Sequence, residues 1–70
     1  MKTIGECIRD KRIESGLRQT DVAKEHGLGQ TTLSGYESGR FFPNALVLSD
    51  LADLFGCTID ELCGREYEAH

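Results

Sequence analysis

Near the middle of the chain lies a ridge of polar residues without charge. Gln30, Thr31, Ser34 and Gly35 fall on the side of a short amphipathic segment, Gln30 to Ser38, that faces away from Leu33 and Tyr36. All four are small or carry an amide. Such a surface matches the hydrogen-bonding edges of DNA bases better than it matches a solvated exterior. The Gln30 amide has the donor and acceptor to meet N6 and N7 of one adenine together, worth roughly 1–3 kcal/mol of discrimination. Ser34 follows four residues later on the same face. Thr31 offers a methyl group to a thymine methyl or a hydroxyl to a phosphate.

A ridge of this kind needs a frame to hold it outward. The preceding segment, Gln19 to His26, has Val22 and Ala23 as its apolar positions, and Gly27-Leu28-Gly29 joins the two segments. Two short amphipathic segments joined by a glycine-containing turn form the pattern of a helix-turn-helix. Gln19 sits in the first turn of the first segment. There the free backbone N–H groups and the positive end of the helix dipole favour a phosphate, to which the side-chain amide adds a donor. Taken without the motif, Gln19 reads as an ordinary exposed helix residue.

Seventy residues make one small domain, with a core only just large enough to stand alone. No apolar run approaches a membrane span and no signal-peptide pattern opens the chain, which leads us to expect a soluble, cytoplasmic protein. Cys7, Cys57 and Cys63 are odd in number and lack CxxC spacing, so they read as small buried hydrophobes, not as a disulfide framework. The net charge of −4 is unevenly placed. Residues 1–40 hold seven basic and six acidic residues, and residues 41–70 hold one basic and six acidic. A polyanionic partner would have to meet the N-terminal half, with the acidic half turned away.

Helix punctuation recurs along the whole chain, and no strand pattern occurs. Gly16, Gly27, Gly39, Gly56 and Gly64 each follow a candidate helix, where a left-handed cap suits glycine. Five such stops imply five helices. The starts agree, because Leu17 with Val22, Leu28 with Leu33, and Cys57 with Leu62 have the spacing of hydrophobic staples. Thr58 with Glu61 makes a capping box, and Asn44 after Pro43 caps the fourth helix. The first helix spans about Thr3 to Ser15, with Ile4, Cys7 and Ile8 as its core stripe, Arg12 continuing that face and Ile13 on the opposite side. The fourth, Ala45 to Phe55, places Leu48, Leu51, Ala52 and Phe55 on one face. The fifth is short, Ile59 to Cys63. Residues 65–70 are polar and are expected to form a frayed tail. One of Phe41 and Phe42 is expected to fill the core, with the other near a nucleic-acid backbone or a dimer contact.

At Leu17-Arg18-Gln19, Val22-Ala23, Gly27, Leu33-Ser34, Tyr36-Glu37-Ser38-Gly39-Arg40 and Pro43, the chain resembles the lambda-repressor-like, Xre/Cro-type helix-turn-helix regulators. The resemblance continues through Leu48, Leu51-Ala52, Leu54-Phe55-Gly56 and Leu62, so it covers about residues 3 to 63. It implies an all-α, compact five-helix domain over residues 1–70. It also implies operator binding, usually as a symmetric dimer, and transcriptional regulation without catalysis. The third helix becomes the recognition helix, with Gln30, Thr31, Ser34 and Gly35 toward the bases. Arg40 resembles the family's basic phosphate contact after that helix. Gln19, Arg18, Lys11 and Thr32 are further phosphate candidates, Thr32 facing either protein or phosphate. Arg12 and Glu37 resemble an internal ion pair, partly buried and bidentate, that orients the recognition helix. Three positions depart from the family pattern. Arg18 and Gly29 stand where Thr, Ser or Asn caps are usual, and Gly35 stands where a larger polar side chain is common. Gly35 either lets the helix approach the bases closely or reads nothing.

The leading expectation is therefore a sequence-specific transcriptional regulator, either a phage- or mobile-element-type repressor or a small bacterial regulator. Its partner would be double-stranded operator DNA, pseudo-palindromic, met by a homodimer joined at the Leu54, Ile59 and Leu62 end. A protein-interaction module or antitoxin of the same fold, using its acidic half, is the alternative. Neither cofactor, small-molecule ligand nor membrane enters this reading. His26, Cys57, Cys63 and His70 have no usual zinc spacing, and neither a Ser/His/Asp set nor a phosphate loop is visible.

Overall fold

The computed structural model describes residues 3–63. They form five helices in the order α1 (Ile4–Glu14), α2 (Gln19–His26), α3 (Gln30–Ser38), α4 (Ala45–Phe55) and α5 (Ile59–Cys63). No strand occurs among the described residues. Four of the five glycine stops carry the positive φ expected of them, at Gly16, Gly27, Gly39 and Gly56. Gly64 and the 65–70 tail lie outside the described residues.

Helix starts follow the sequence signals. Thr3 accepts a hydrogen bond from the Glu6 N–H at 3.1 Å, while the Glu6 carboxylate accepts from the Thr3 N–H at 3.0 Å. Asn44 accepts from the Val47 N–H at 2.9 Å. Thr58 accepts from the Glu61 N–H at 3.1 Å, and Glu61 returns the bond to the Thr58 N–H at 2.8 Å. The α1 boundaries lie one residue inside Thr3 and Ser15, because those two residues act as the caps.

Apolar faces spaced for helices meet in one core. Ile8, Val22, Leu33, Leu51 and Leu62 are fully buried there, and Tyr36 and Ala52 join them. Each such aliphatic side chain contributes about 1.5–3 kcal/mol by leaving water. Leu17, Leu28 and Cys57 pack against this cluster from the turns, as staples should. In the fold, α1 packs on α3, α5 and α4, α2 packs on α3, and α4 packs on α5. Ile13, on the far side of α1, is exposed.

Two expectations for apolar residues fail. Leu62 is fully buried, so it is a core residue with no surface to offer a second protomer. Leu54 is half-buried and Ile59 exposed, which leaves Ile59 as the large apolar surface at that end. Neither Phe41 nor Phe42 fills the core, since both are exposed, at 45% and 73%. Pro43 takes the buried place in this loop, and the Phe41 ring folds back onto α3.

Gly5 determines how closely α1 meets α3. A Cβ at this position would lie 2.4 Å from the Tyr36 carbonyl oxygen and 2.7 Å from that of Glu37. Both obstacles are backbone, so only glycine permits this approach.

Candidate nucleic-acid interface

The outward face of α3 borders an open hollow of about 330 Å³. Gln30, Thr31 and Ser34 line its α3 side, and all three are exposed. Gln19 lines it from the first turn of α2, and Arg40 from the loop after α3. Gly35 and Ser38 complete the wall. The structure thus gathers Gln19, Gln30, Thr31, Ser34, Gly35 and Arg40 from two helices and a loop around one concavity. None of the lining residues is acidic, and Arg40 supplies a cation. Pockets for small molecules are mostly apolar and enclosed. This one is shallow and polar, a shape suited to the edge of a larger polar partner.

Ser38 was not singled out from the sequence. Its spacing of seven from Thr31 and four from Ser34 is the signal that would have found it. Its hydroxyl donates to the Gly35 carbonyl at 3.2 Å.

Behind the ridge, a charged network fixes α3 to its neighbours. Arg12 donates through Nε to Glu37 Oε2 at 2.7 Å and through Nη2 to Oε1 at 3.2 Å. Its remaining Nη1 donates to the Leu17 carbonyl at 2.8 Å, in the turn before α2. Gln19 donates through Nε2 to Glu37 Oε1 at 3.1 Å. The side chains of Arg12 and Glu37 are only 12% and 5% exposed, so each depends on the other for its charge. One carboxylate on α3 therefore holds α1 and α2 together, and the Gln19 side chain that lines the hollow is one of its donors.

The remaining phosphate candidates are placed differently. Arg18 is 81% exposed and pairs with Asp21, with Nη2 to Oδ1 at 3.1 Å. Asp21 also accepts from the Arg18 backbone N–H at 2.9 Å, so the third residue of α2 secures a start that the Arg18 side chain does not cap. The hydrogen bonds from Arg18 hold the Asp21 carboxyl below the usual aspartate range. Thr32 is half-buried. Lys11 lies 3.6 Å from Glu14 and stands near Cys57 and Glu61, toward α5, and is absent from the lining of the hollow.

Gly35 is occupied space. A Cβ built there would lie 2.2 Å from Cδ2 of Phe41, so the aromatic ring already sits where a side chain would project.

None of the three cysteines is in a disulfide. Burial pushes the Cys57 thiol above its ordinary range, which keeps it protonated at neutral pH and a poor nucleophile. Among the described residues no three of His, Cys, Asp and Glu are placed to hold a metal ion. His70, the fourth member of the set weighed above, lies outside them.

Two short helices meet across the Gly27-Leu28-Gly29 turn, with the second presenting a polar face outward, and this arrangement defines a helix-turn-helix protein. The chain belongs to the helix-turn-helix family of lambda-repressor-like, Xre type, whose family model matches residues 8–62. It is 41% identical over 61 residues to the ImmF control region 10 kDa protein of Bacillus phage phi105, covering 87% of this chain and 68% of that one. It is 52% identical over 40 residues to the HTH-type transcriptional regulator AnsR of Bacillus subtilis, covering 57% of this chain and 34% of that one. It is 40% identical over 55 residues to the cryptic phage CTXphi transcriptional repressor RstR of Vibrio cholerae, covering 79% and 50%. The chain thus spans half or less of these last two relatives. Among the described residues no helix is long and apolar enough to cross a membrane.

Proposed function

We propose that the chain is a cytoplasmic, sequence-specific DNA-binding transcriptional regulator of phage type that reads the major groove with α3 and has no catalytic role. The observation that carries this reading is the uncharged ridge of Gln30, Thr31 and Ser34, exposed beside a hollow that holds a cation and no carboxylate. Gln30 is the principal base reader, with Thr31 and Ser34 beside it. Arg40 and the first turn of α2 at Gln19 take phosphates on either side. Arg18 joins them only by giving up Asp21. The exposed carboxylates of α4 and α5, Asp50, Asp53, Asp60 and Glu61, belong to helices that pack mainly on α1 and on each other, and none of them lines the hollow. A homodimer would present two such helices one DNA turn apart, using Ile59 and the exposed edge of Leu54.

Selection from a random DNA pool tests the reading. The expected product is two half-sites related by a twofold axis, with centres about 34–36 Å apart. Gln30→Ala should weaken binding to the selected site by about 5- to 150-fold and leave unrelated DNA unaffected. A pool without enriched sequence, or equal weakening on all DNA, would overturn it.

A further inference from the structure

Position 35 lies on the reading helix yet has no side chain of its own. The space is filled from outside the helix by Phe41, whose Cδ2, Cε2 and Cγ lie 2.2, 2.7 and 3.2 Å from where a Cβ would be. The backbone locks this arrangement. The Gly35 carbonyl accepts from the Arg40 N–H at 2.9 Å and from the Phe41 N–H at 3.1 Å, so the chain turns sharply at Gly39 and returns over the helix. The ring lies against Gly35, itself part of the wall of the hollow, and 45% of Phe41 remains exposed.

We propose that Phe41 is a specificity-determining residue that takes the role of the missing side chain at position 35 and meets the methyl group of a thymine in the major groove. The inference rests on the DNA-binding reading above. Its chemistry follows from what the ring can do: it carries neither charge nor hydrogen-bonding group, so it gains nothing from a phosphate or from a base amide. The major-groove partner that suits an apolar surface is the thymine methyl. The backbone that carries the ring is also fixed before binding by the two bonds to the Gly35 carbonyl, so less freedom is lost on contact. Position 35 is thus read by a residue six places further along the chain.

The test uses the site selected from random DNA, with each thymine replaced in turn by deoxyuridine, which lacks the methyl group. In the unaltered protein, one thymine per half-site should weaken binding about four-fold on replacement, the worth of one methyl group removed from water. Phe41→Ala should bind the normal site correspondingly more weakly and show no further loss at that thymine. Gly35→Ala should give the same pattern, because its methyl group displaces the ring, and adding Gly35→Ala to Phe41→Ala should change nothing more. Phe41→Leu, which keeps an apolar body in the loop, should retain part of the thymine effect. Circular dichroism of each variant separates lost contact from lost fold. Equal weakening by Phe41→Ala on all DNA would make the ring a backbone contact and overturn the proposal. So would an unchanged thymine response in Phe41→Ala or Gly35→Ala. Absence of any selected sequence would instead defeat the DNA-binding reading itself.

Discussion

The five helices begin in two different ways. The starts of α1, α4 and α5 are closed by the side chains of Thr3, Asn44 and Thr58, each accepting from an N–H of the first turn. The starts of α2 and α3 have no such acceptor, because Arg18 and Gly29 occupy the cap positions. The closed starts belong to the helices of the body, and the open ones to the helix-turn-helix. Capping by a side chain typically stabilises a helix by about 1 kcal/mol. Leaving it out at α2 and α3 keeps first-turn amides available to an outside acceptor, which at α2 in the proposed complex is phosphate. Side-chain caps are thus concentrated on the body, and the uncapped starts fall on the two helices of the proposed interface.

The two regions are joined by Glu37, so its removal should break the comparison most severely. Glu37→Ala leaves the Arg12 guanidinium buried without its carboxylate and frees Gln19. A loss of about 3–5 kcal/mol is expected, read by urea denaturation. A loss under about 1 kcal/mol would mean that the network does not hold α2 and α3 to α1.

Exchanging the two kinds of start should sharpen the contrast. Asn44→Ala should cost about 1 kcal/mol of stability with no change in DNA affinity once the folded fraction is accounted for. Gly29→Ser should do the reverse, adding a few tenths of a kcal/mol of stability while weakening DNA binding, since the new hydroxyl competes for the N–H groups of α3. Space is available, because a Cβ at Gly29 would meet only Thr32 Oγ1 at 3.6 Å. Tighter binding by the serine variant would contradict the role given to the open start.

The smallest effect concerns pH. Hydrogen bonds from Arg18 lower the Asp21 carboxyl, and the Thr58 N–H lowers that of Glu61. Folding depresses both, so their stabilisation is present at neutral pH and disappears as pH falls through and below about 4. The melting temperature should drop in that window, and less steeply in Asp21→Asn combined with Glu61→Gln. An identical slope would show that these two carboxylates do not carry the acid sensitivity.

Much of this was legible before any coordinates. Glycine stops and hydrophobic staples are local signals, and they place α2, α3, α4 and α5 at the boundaries observed. The exposed positions Gln30, Thr31 and Ser34 were legible for the same reason, since spacing along one helix decides which residues share a face, but the burial of Gly35 was not. Contacts between elements were legible only where the family resemblance supplied them, as for Arg12 and Glu37. Leu62 reads as both a staple partner of Cys57 and a dimer contact, and only the packing of α5 onto α1 and α4 decides for the core. The placement of Phe41 on Gly35 depends on how a loop returns, and neither residue type announces the other. The Gln19–Glu37 bond joins positions eighteen apart, beyond the reach of any helical period.

If α3 reads DNA as proposed, Gly5 has a bearing on recognition that its position conceals. It is a spacer of zero thickness behind the far end of α3, where any side chain would act as a wedge against rigid carbonyls. A wedge there would lever the helix about its packed middle and change the attitude at which Gln30 is offered at the other end. In the proposed complex, the aim of α3 would thus be set by a residue packed behind it, against the Tyr36 and Glu37 carbonyls.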